Sequence, residues 1–409
     1  MKPSGPIPAQ FMAGEDGQLM LGGESVSDLV AEVGGTPVFV YDNNVVGTQI
    51  SRFRAAMPSG IFLNYAVSAN PYEPLLEFIG RYVDGFRVVS AGEMARLKAA
   101  NLAGIGMTFA GPGKTDSELE AAIKNGATVS LESAGEAERA IRAGERLGIQ
   151  PRVAVRVDPP FAIGIDGSIA AVAPNPFGFD AAEVPEMIRG LIEADVDWRG
   201  LHIFTGSQWL DTDTLIEVHQ RTITLACEIA DSAGVSLPEL SLGGGFGTTS
   251  VEGEWPIDLD AVANALNTGI CGASDSLATT AIAIELGRWL VADCGVYVCR
   301  VVERKRSAGR TFLVTDGGGH HLIGATGPFG EPPRRNNPIA VANRFDAPVE
   351  EAVTVTGCLC TPFDVLGDDV GLPVAEPGDL IAIFNTGAYG LTASPQGWES
   401  RPMAREIMV

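Results

Sequence analysis

The run GGGFG (Gly243, Gly244, Gly245, Gly247) exposes backbone N–H groups that no side chain shields. A phosphate needs several such donors, and glycine loops at strand ends supply them. Further along, ELGR closes on Arg288, whose planar fork of donors suits the same anion. A second reading stays open for the glycines, a tight turn that needs positive φ.

Both segments follow short apolar, β-branched runs, so the elements that carry them come next. Strand candidates are 61–69, 85–90, 106–111, 128–133, 152–159, 199–206, 237–245 and 281–288, and most are followed by a stretch of helical period such as TDSELEAAIKNG or SAGEAERAIRAGERLG. Eight strand–helix units closing on themselves predict an α/β fold of the (β/α)8 barrel type, with reacting groups just after each strand. Gly243 to Gly247 and Glu285 to Arg288 then follow strands seven and eight, the usual phosphate position. After Cys294 the pattern changes to strand-like runs broken by Gly and Pro, which predicts an all-β domain. The expected division is an N-terminal segment over 1–37 joining the β domain, a barrel over 38–290 and a C-terminal β domain over 291–409. The aperiodic, Gly/Pro-rich segment 160–180 is expected to be a loop over the barrel mouth.

Composition narrows the function classes. A formal charge of −23 repels nucleic-acid backbones over most of the surface, while leaving room for a small anion at local donors. No apolar run is long enough to span a membrane, and the first residues lack the apolar core of a signal peptide, so the expected location is the cytoplasm. Six cysteines in 409 residues are too sparse for a disulfide scaffold, and no CxxC pair suggests zinc or another metal.

The ordered set YAVSANP (65–71), VVSAGEM (88–94), FAGPGKTD (109–116), VAVRVDP (153–159), HIFTGSQ (202–208), LSLGGGFG (240–247), IELGR (284–288), CLCTPFDVLGD (358–368) and GAYGLTAS (387–394) resembles the diaminopimelate and ornithine decarboxylase family. The similarity runs over nearly the whole chain and is closest to a branch associated with polysaccharide export and secondary metabolism. It implies an alanine-racemase-like barrel, pyridoxal 5′-phosphate as cofactor, an amino-acid-like substrate, free or on a carrier protein, and a homodimer with shared active sites. Glu285 matches the carboxylate that faces the pyridine nitrogen and keeps it protonated. Ser207, Gly244, Gly245, Gly287, Arg288 and Tyr389 match the phosphate and pocket contacts, Tyr389 having a buried structural role as its alternative. Phe204 falls where the family stacks a histidine on the ring; His202, two residues earlier, is either a nearby donor or a satisfied core histidine. Cys360 and Asp364 match residues that reach the partner's site, Cys360 as proton donor or, alternatively, as a small buried hydrophobe. Thr361 replaces the glutamate that reads a distal ammonium, which argues against a diaminopimelate-like substrate. Arg334 and Arg335 are candidates for a substrate carboxylate, or plain surface arginines.

Two departures decide the function. The family's YAVKANP lysine, its Schiff-base residue, is Ser68 here, and a hydroxyl forms no imine. The aspartate of the next strand is Arg87, a reversal worth on the order of several kcal/mol at low dielectric. Of the five lysines, Lys2, Lys98, Lys114, Lys124 and Lys305, only Lys114 stands near a strand end. Three readings follow: noncovalent pyridoxal phosphate with impaired decarboxylation, an inactive relative that binds or regulates, or a pocket recruited to a reaction without the cofactor, with Ser68 and Arg87 in its machinery. The acidic balance argues against docking an acidic carrier.

Overall fold

The computed structural model describes residues 2–163, 169–170, 174–273, 275–326, 333 and 335–409. The chain divides into two compact units, a barrel unit over Ile50–Gly247 and Pro256–Gly287, and a β unit over Met1–Gln49, Thr248–Trp255 and Arg288–Val409.

Among the described residues eight parallel strands form the barrel: β1 Ile61–Ala66, β2 Gly85–Val88, β3 Gly106–Phe109, β4 Thr128–Leu131, β5 Arg152–Asp158, β6 Asp197–Ile203, β7 Glu239–Ser241 and β8 Ala281–Leu286. Each pairs with its sequence neighbours, and β8 pairs β1, with Ile282 opposite Ile61, so the sheet closes. The apolar runs explain this, because strands covered on both faces need continuous burial. Val153, Val155 and Val157 are buried, as are Leu201, Ile203, Ile282 and Ile284.

Helices α1 Glu73–Ile79, α2 Ala91–Ala99, α3 Asp116–Lys124, α4 Ala134–Leu147, α5 Val184–Glu193, α6 Thr212–Ala233 and α7 Leu259–Cys271 return the chain between strands. Five of these starts are set by side-chain caps, while α1 and α5 begin with a proline in their first turn. Ser90, Thr115, Ser133, Asp211 and Asp258 each accept from the backbone three residues on, and Thr115 with Glu118 forms a capping box. Each cap is worth about 1 kcal/mol and fixes where the strand-end loop stops.

The β unit holds β9 Gly295–Ser307, β10 Arg310–Thr315, β11 Ile339–Val341, β12 Glu351–Thr356, β13 Val365–Leu372, β14 Leu380–Phe384 and β15 Arg405–Met408. Strand Val38–Tyr41 lies between β9, antiparallel, and β15, parallel. The unit boundary therefore falls at residues 49/50, beyond the expected 37/38. All four residues of Val38–Tyr41 are buried, and an apolar run of that kind specifies a strand without specifying its sheet. β11 and β13 were not expected, since β13 (VLGDDVGL) places two aspartates inside a strand.

Of segment 160–180, residues 164–168 and 171–173 lie outside the described residues; Ala162–Ile163 pairs antiparallel with Ile169–Ala170, and Phe179–Asp180 adds a parallel strand beside β5. Among the described residues no helix is long and apolar enough to cross a membrane.

Candidate ligand pocket at the barrel mouth

Glu285, one residue before the end of β8, is the hub of a buried polar cluster. Its Oε1 accepts the Ser241 hydroxyl at 2.7 Å, and its Oε2 lies 2.7 Å from Arg87 Nη1 and 3.5 Å from His202 Nε2. Strand register assembles the group, because Arg156, His202 and Ser241 stand opposite one another across β5, β6 and β7. Ser130 on β4 bonds His202 Nδ1 at 3.0 Å. Burial is the largest single influence and pushes the Glu285 carboxyl up, but Arg87, His202 and the Ser241 hydroxyl together outweigh it and hold the group well below the usual carboxylate range. Burial also lowers the His202 pKa against the pull of Glu285, so the imidazole is neutral at pH 7 and Arg87 is the cation of the cluster.

Two further ion pairs surround it. Arg156 Nη1 bonds Glu132 Oε1 at 2.9 Å, and Glu132 also accepts from the Gly178 N–H. Lys114 is fully enclosed and donates to Gly111 O at 2.7 Å, Ser130 O at 2.8 Å and Glu136 Oε1 at 2.7 Å. The Arg87 and Arg156 guanidinium carbons lie 5.6 and 5.9 Å from the Phe204 ring centroid, within cation–π range. These residues, with Lys114 and Phe177, line a cavity of about 470 Å³.

The glycine loop adjoins the cluster. Glu285 N donates to Gly243 O at 2.8 Å, and a Cβ on Gly244 would stand 2.1 Å from Glu285 O, which excludes any side chain there. Gly243 and Gly245 have φ of +65° and +90°, so the tight-turn reading holds for these two. Among the described residues the Gly244 and Gly245 N–H groups donate to nothing, which leaves donors for an anion. Gly287 is also required, since its Cβ would lie 2.9 Å from that of Ala69, beside half-buried Ser68. Ser207 is exposed.

The other expected residues lie in the β unit. Arg288 stacks on the Tyr389 ring at 4.8 Å, and Tyr389 has φ of +54°. Cys360 is exposed, with its N–H bonded to Glu399. Asp364 is buried and accepts from Gly319 N at 2.6 Å and Leu359 N at 2.7 Å, so one oxygen organises its own loop and the other ties that loop to the segment after β10. Thr361 O accepts from Asp364 N in the same turn. Arg335 is exposed and 3.5 Å from Glu254; Arg334 lies outside the described residues. Sequence reasoning missed Glu132, Ser130, Ser241, Phe177 and the loop-anchoring His219. Charges at the ends of apolar runs (RVAVRVD, TVSLES) were the available signal for the Arg156–Glu132 pair.

A pyridoxal-phosphate ring with its tether does not fit the residues as they stand. The phosphate end has the Gly244 and Gly245 donors, but the Arg87 guanidinium already stands 2.7 Å from Glu285 Oε2 and 5.6 Å from the Phe204 ring centroid, the two groups a pyridine ring would need. Ser68 offers no amine.

Comparison with known proteins places this architecture. The sequence profile described as "Pyridoxal-dependent decarboxylase, pyridoxal binding domain" matches residues 44–292. The L-glutamyl-[BtrI acyl-carrier protein] decarboxylase of Niallia circulans is 33% identical over 91% of this chain and 88% of its own length. The diaminopimelate decarboxylase of Archaeoglobus fulgidus is 31% identical over 96% of this chain and 92% of its own. The crystal structure of diaminopimelate decarboxylase from Helicobacter pylori complexed with L-lysine superposes with a TM-score of 0.80 at 26% identity, covering 94% of each chain. The chain therefore belongs to the pyridoxal-dependent decarboxylases, the alanine-racemase-like barrel family whose cofactor is pyridoxal phosphate.

Proposed function

We propose that this chain is a decarboxylase-family protein of biosynthesis that binds an amino-acid-like ligand without the covalent cofactor link on which the family's chemistry turns. The observation that carries the reading is the state of its lysines. Position 68 is a serine, and the three protons of the Lys114 ammonium are all donated, so it offers no free electron pair to an aldehyde. The other four lysines do not substitute for it. Lys2 bonds Pro333 and Asp368 in the β unit, Lys98 and Lys124 lie on the exposed faces of α2 and α3, and Lys305 belongs to β9.

The ligand class follows from the relatives, among them a decarboxylase whose name specifies a glutamyl group on an acyl-carrier protein. Arg87 and Arg156 on the cavity wall supply guanidinium donors for a carboxylate of that kind. The exposed thiol of Cys360 supports a homodimer in which this loop reaches a second copy's pocket, as the family resemblance implies. A second reading, noncovalent pyridoxal phosphate with slow decarboxylation, is favoured by the two unpartnered glycine N–H groups alone.

The test is direct. Wild-type protein is incubated with pyridoxal phosphate, reduced with borohydride and weighed intact, while carbon dioxide release is followed with free amino acids and with glutamyl-carrier protein. The proposal expects no cofactor mass on the chain and no release above background. A cofactor mass on any lysine overturns it; release without attachment selects the second reading.

A further inference from the structure

We propose that the Arg87 guanidinium is a built-in occupant of the seat a pyridine ring would take, and so acts as the residue that excludes such rings from the pocket. The inference rests on the reading of Glu285 and Phe204 as the two ring contacts, and it deepens the function proposed above.

A guanidinium and a protonated pyridine share the features that matter at such a seat. Both are flat cations with N–H donors at the edge and a π face. Arg87 makes both contacts at once, its edge 2.7 Å from Glu285 Oε2 and its carbon 5.6 Å from the Phe204 centroid. Glu285 Oε1 accepts the Ser241 hydroxyl, while Oε2 makes close charge contact with Arg87 Nη1 at 2.7 Å, with His202 Nε2 at 3.5 Å, so a second cation would have to share that oxygen with the guanidinium.

The arginine is also held in place. Its side chain is 13% exposed and that of Glu285 2%, so swinging the guanidinium outward would leave a carboxylate enclosed without a cation. Removing one partner of a buried pair carries a penalty equivalent to about a hundredfold in affinity or more, and an incoming ring has to overcome it. The other charged groups around the cavity do not compete for Glu285, because Arg156 is paired with Glu132 and Lys114 with Glu136.

The probe is pyridoxine 5′-phosphate, which carries the ring and the phosphate but no aldehyde. Covalent attachment cannot contribute to its binding, so the outcome is independent of the borohydride experiment. Isothermal titration is expected to show at least about tenfold tighter binding to R87G than to wild type. Millimolar guanidinium chloride should weaken binding to R87G by refilling the seat, and leave wild type unchanged. Since R87G leaves Glu285 unpaired and is at risk of unfolding, a second pair removes the buried charge: R87G/E285Q against E285Q, with the same direction expected. Equal affinities within the folded pair, or tight ring binding to wild type, would overturn the proposal.

Discussion

Lys114 Nζ and Glu136 Oε1 stand 2.7 Å apart, with each side chain 1% exposed. The pair ties the loop after β3 to the start of α4, and the same ammonium holds the Gly111 and Ser130 carbonyls. K114M removes the cation and leaves Glu136 enclosed. Loss of one partner from a buried pair costs about 3–5 kcal/mol. Burial already pushes the Glu136 carboxyl up against the pull of Lys114, so that carboxyl takes up a proton in the variant and the loss should fall at the low end of that range. Denaturant midpoints for wild type, K114M and K114M/E136L measure it. The double variant should recover most of the loss if the lysine is structural.

His219 on α6 gives the protein a pH dependence. The Gly244 carbonyl 3.3 Å from its Nε2 can only accept, so Nε2 carries the proton. Burial lowers the imidazole pKa from 6.5 to about 4. Between those values the unfolded chain binds a proton that the native state does not, so stability falls as pH drops from 6.5 toward 4 and is fully retained above 6.5. A shift of this size corresponds to about 3 kcal/mol. Thermal unfolding of wild type and H219F across that window tests it, and the variant should show a flatter profile.

Gly244 is the point where the glycine loop touches β8. In G244A the new methyl, fixed directly to the backbone, would meet the Glu285 carbonyl oxygen at 2.1 Å, and neither side can yield without moving a strand end. Overpacking of this kind costs about 1–3 kcal/mol, and the displaced loop should lose phosphate binding. G113A meets nothing within 4 Å and serves as the control. Unfolding midpoints and inorganic phosphate titrations of the two variants should separate clearly.

The barrel was legible because short apolar runs alternate with stretches of helical period, signals confined to a few neighbouring residues. Assembly of the pocket was less so. Glu285 and Arg87 stand out singly as charges at strand ends, but their pairing depends on barrel closure, which brings residues nearly 200 positions apart into contact. Sheet membership is hidden for the same reason. The expected bounds put Val38–Tyr41 with the barrel, whereas its partners are Arg405–Met408 and Gly295–Ser307 of the β unit. The motif position of Asp364 suggested a residue reaching outward, whereas its carboxylate is turned onto two backbone N–H groups, a choice made by the loop's glycines and invisible in composition.

That geometry makes Asp364 a stability residue. D364A would leave the Gly319 and Leu359 N–H groups enclosed without an acceptor, at about 1–3 kcal/mol each. D364N keeps one acceptor oxygen and turns an amide donor toward the other N–H, so its loss should be intermediate. A fall in melting temperature in the order wild type, D364N, D364A supports the assignment. Unchanged stability combined with a weakened dimer would return Asp364 to the subunit interface.

Restoring the missing amine separates the two departures, Ser68 and Arg87. Ser68 follows β1 by two residues, and Ala66 on that strand stands opposite Arg87, so the two positions share one corner of the mouth. S68K alone supplies a nucleophile but leaves the guanidinium on Glu285 and Phe204, and it adds a second cation beside the first. R87D alone clears the seat but offers no amine. Only S68K/R87D supplies both, and the new aspartate stands beside the new lysine. After incubation with pyridoxal phosphate and borohydride, intact mass should show attachment in the double variant, mapped to residue 68, at least about tenfold above either single variant. Equal attachment in S68K and in the double variant would mean that Arg87 yields the seat readily, and that the serine by itself accounts for the lost chemistry.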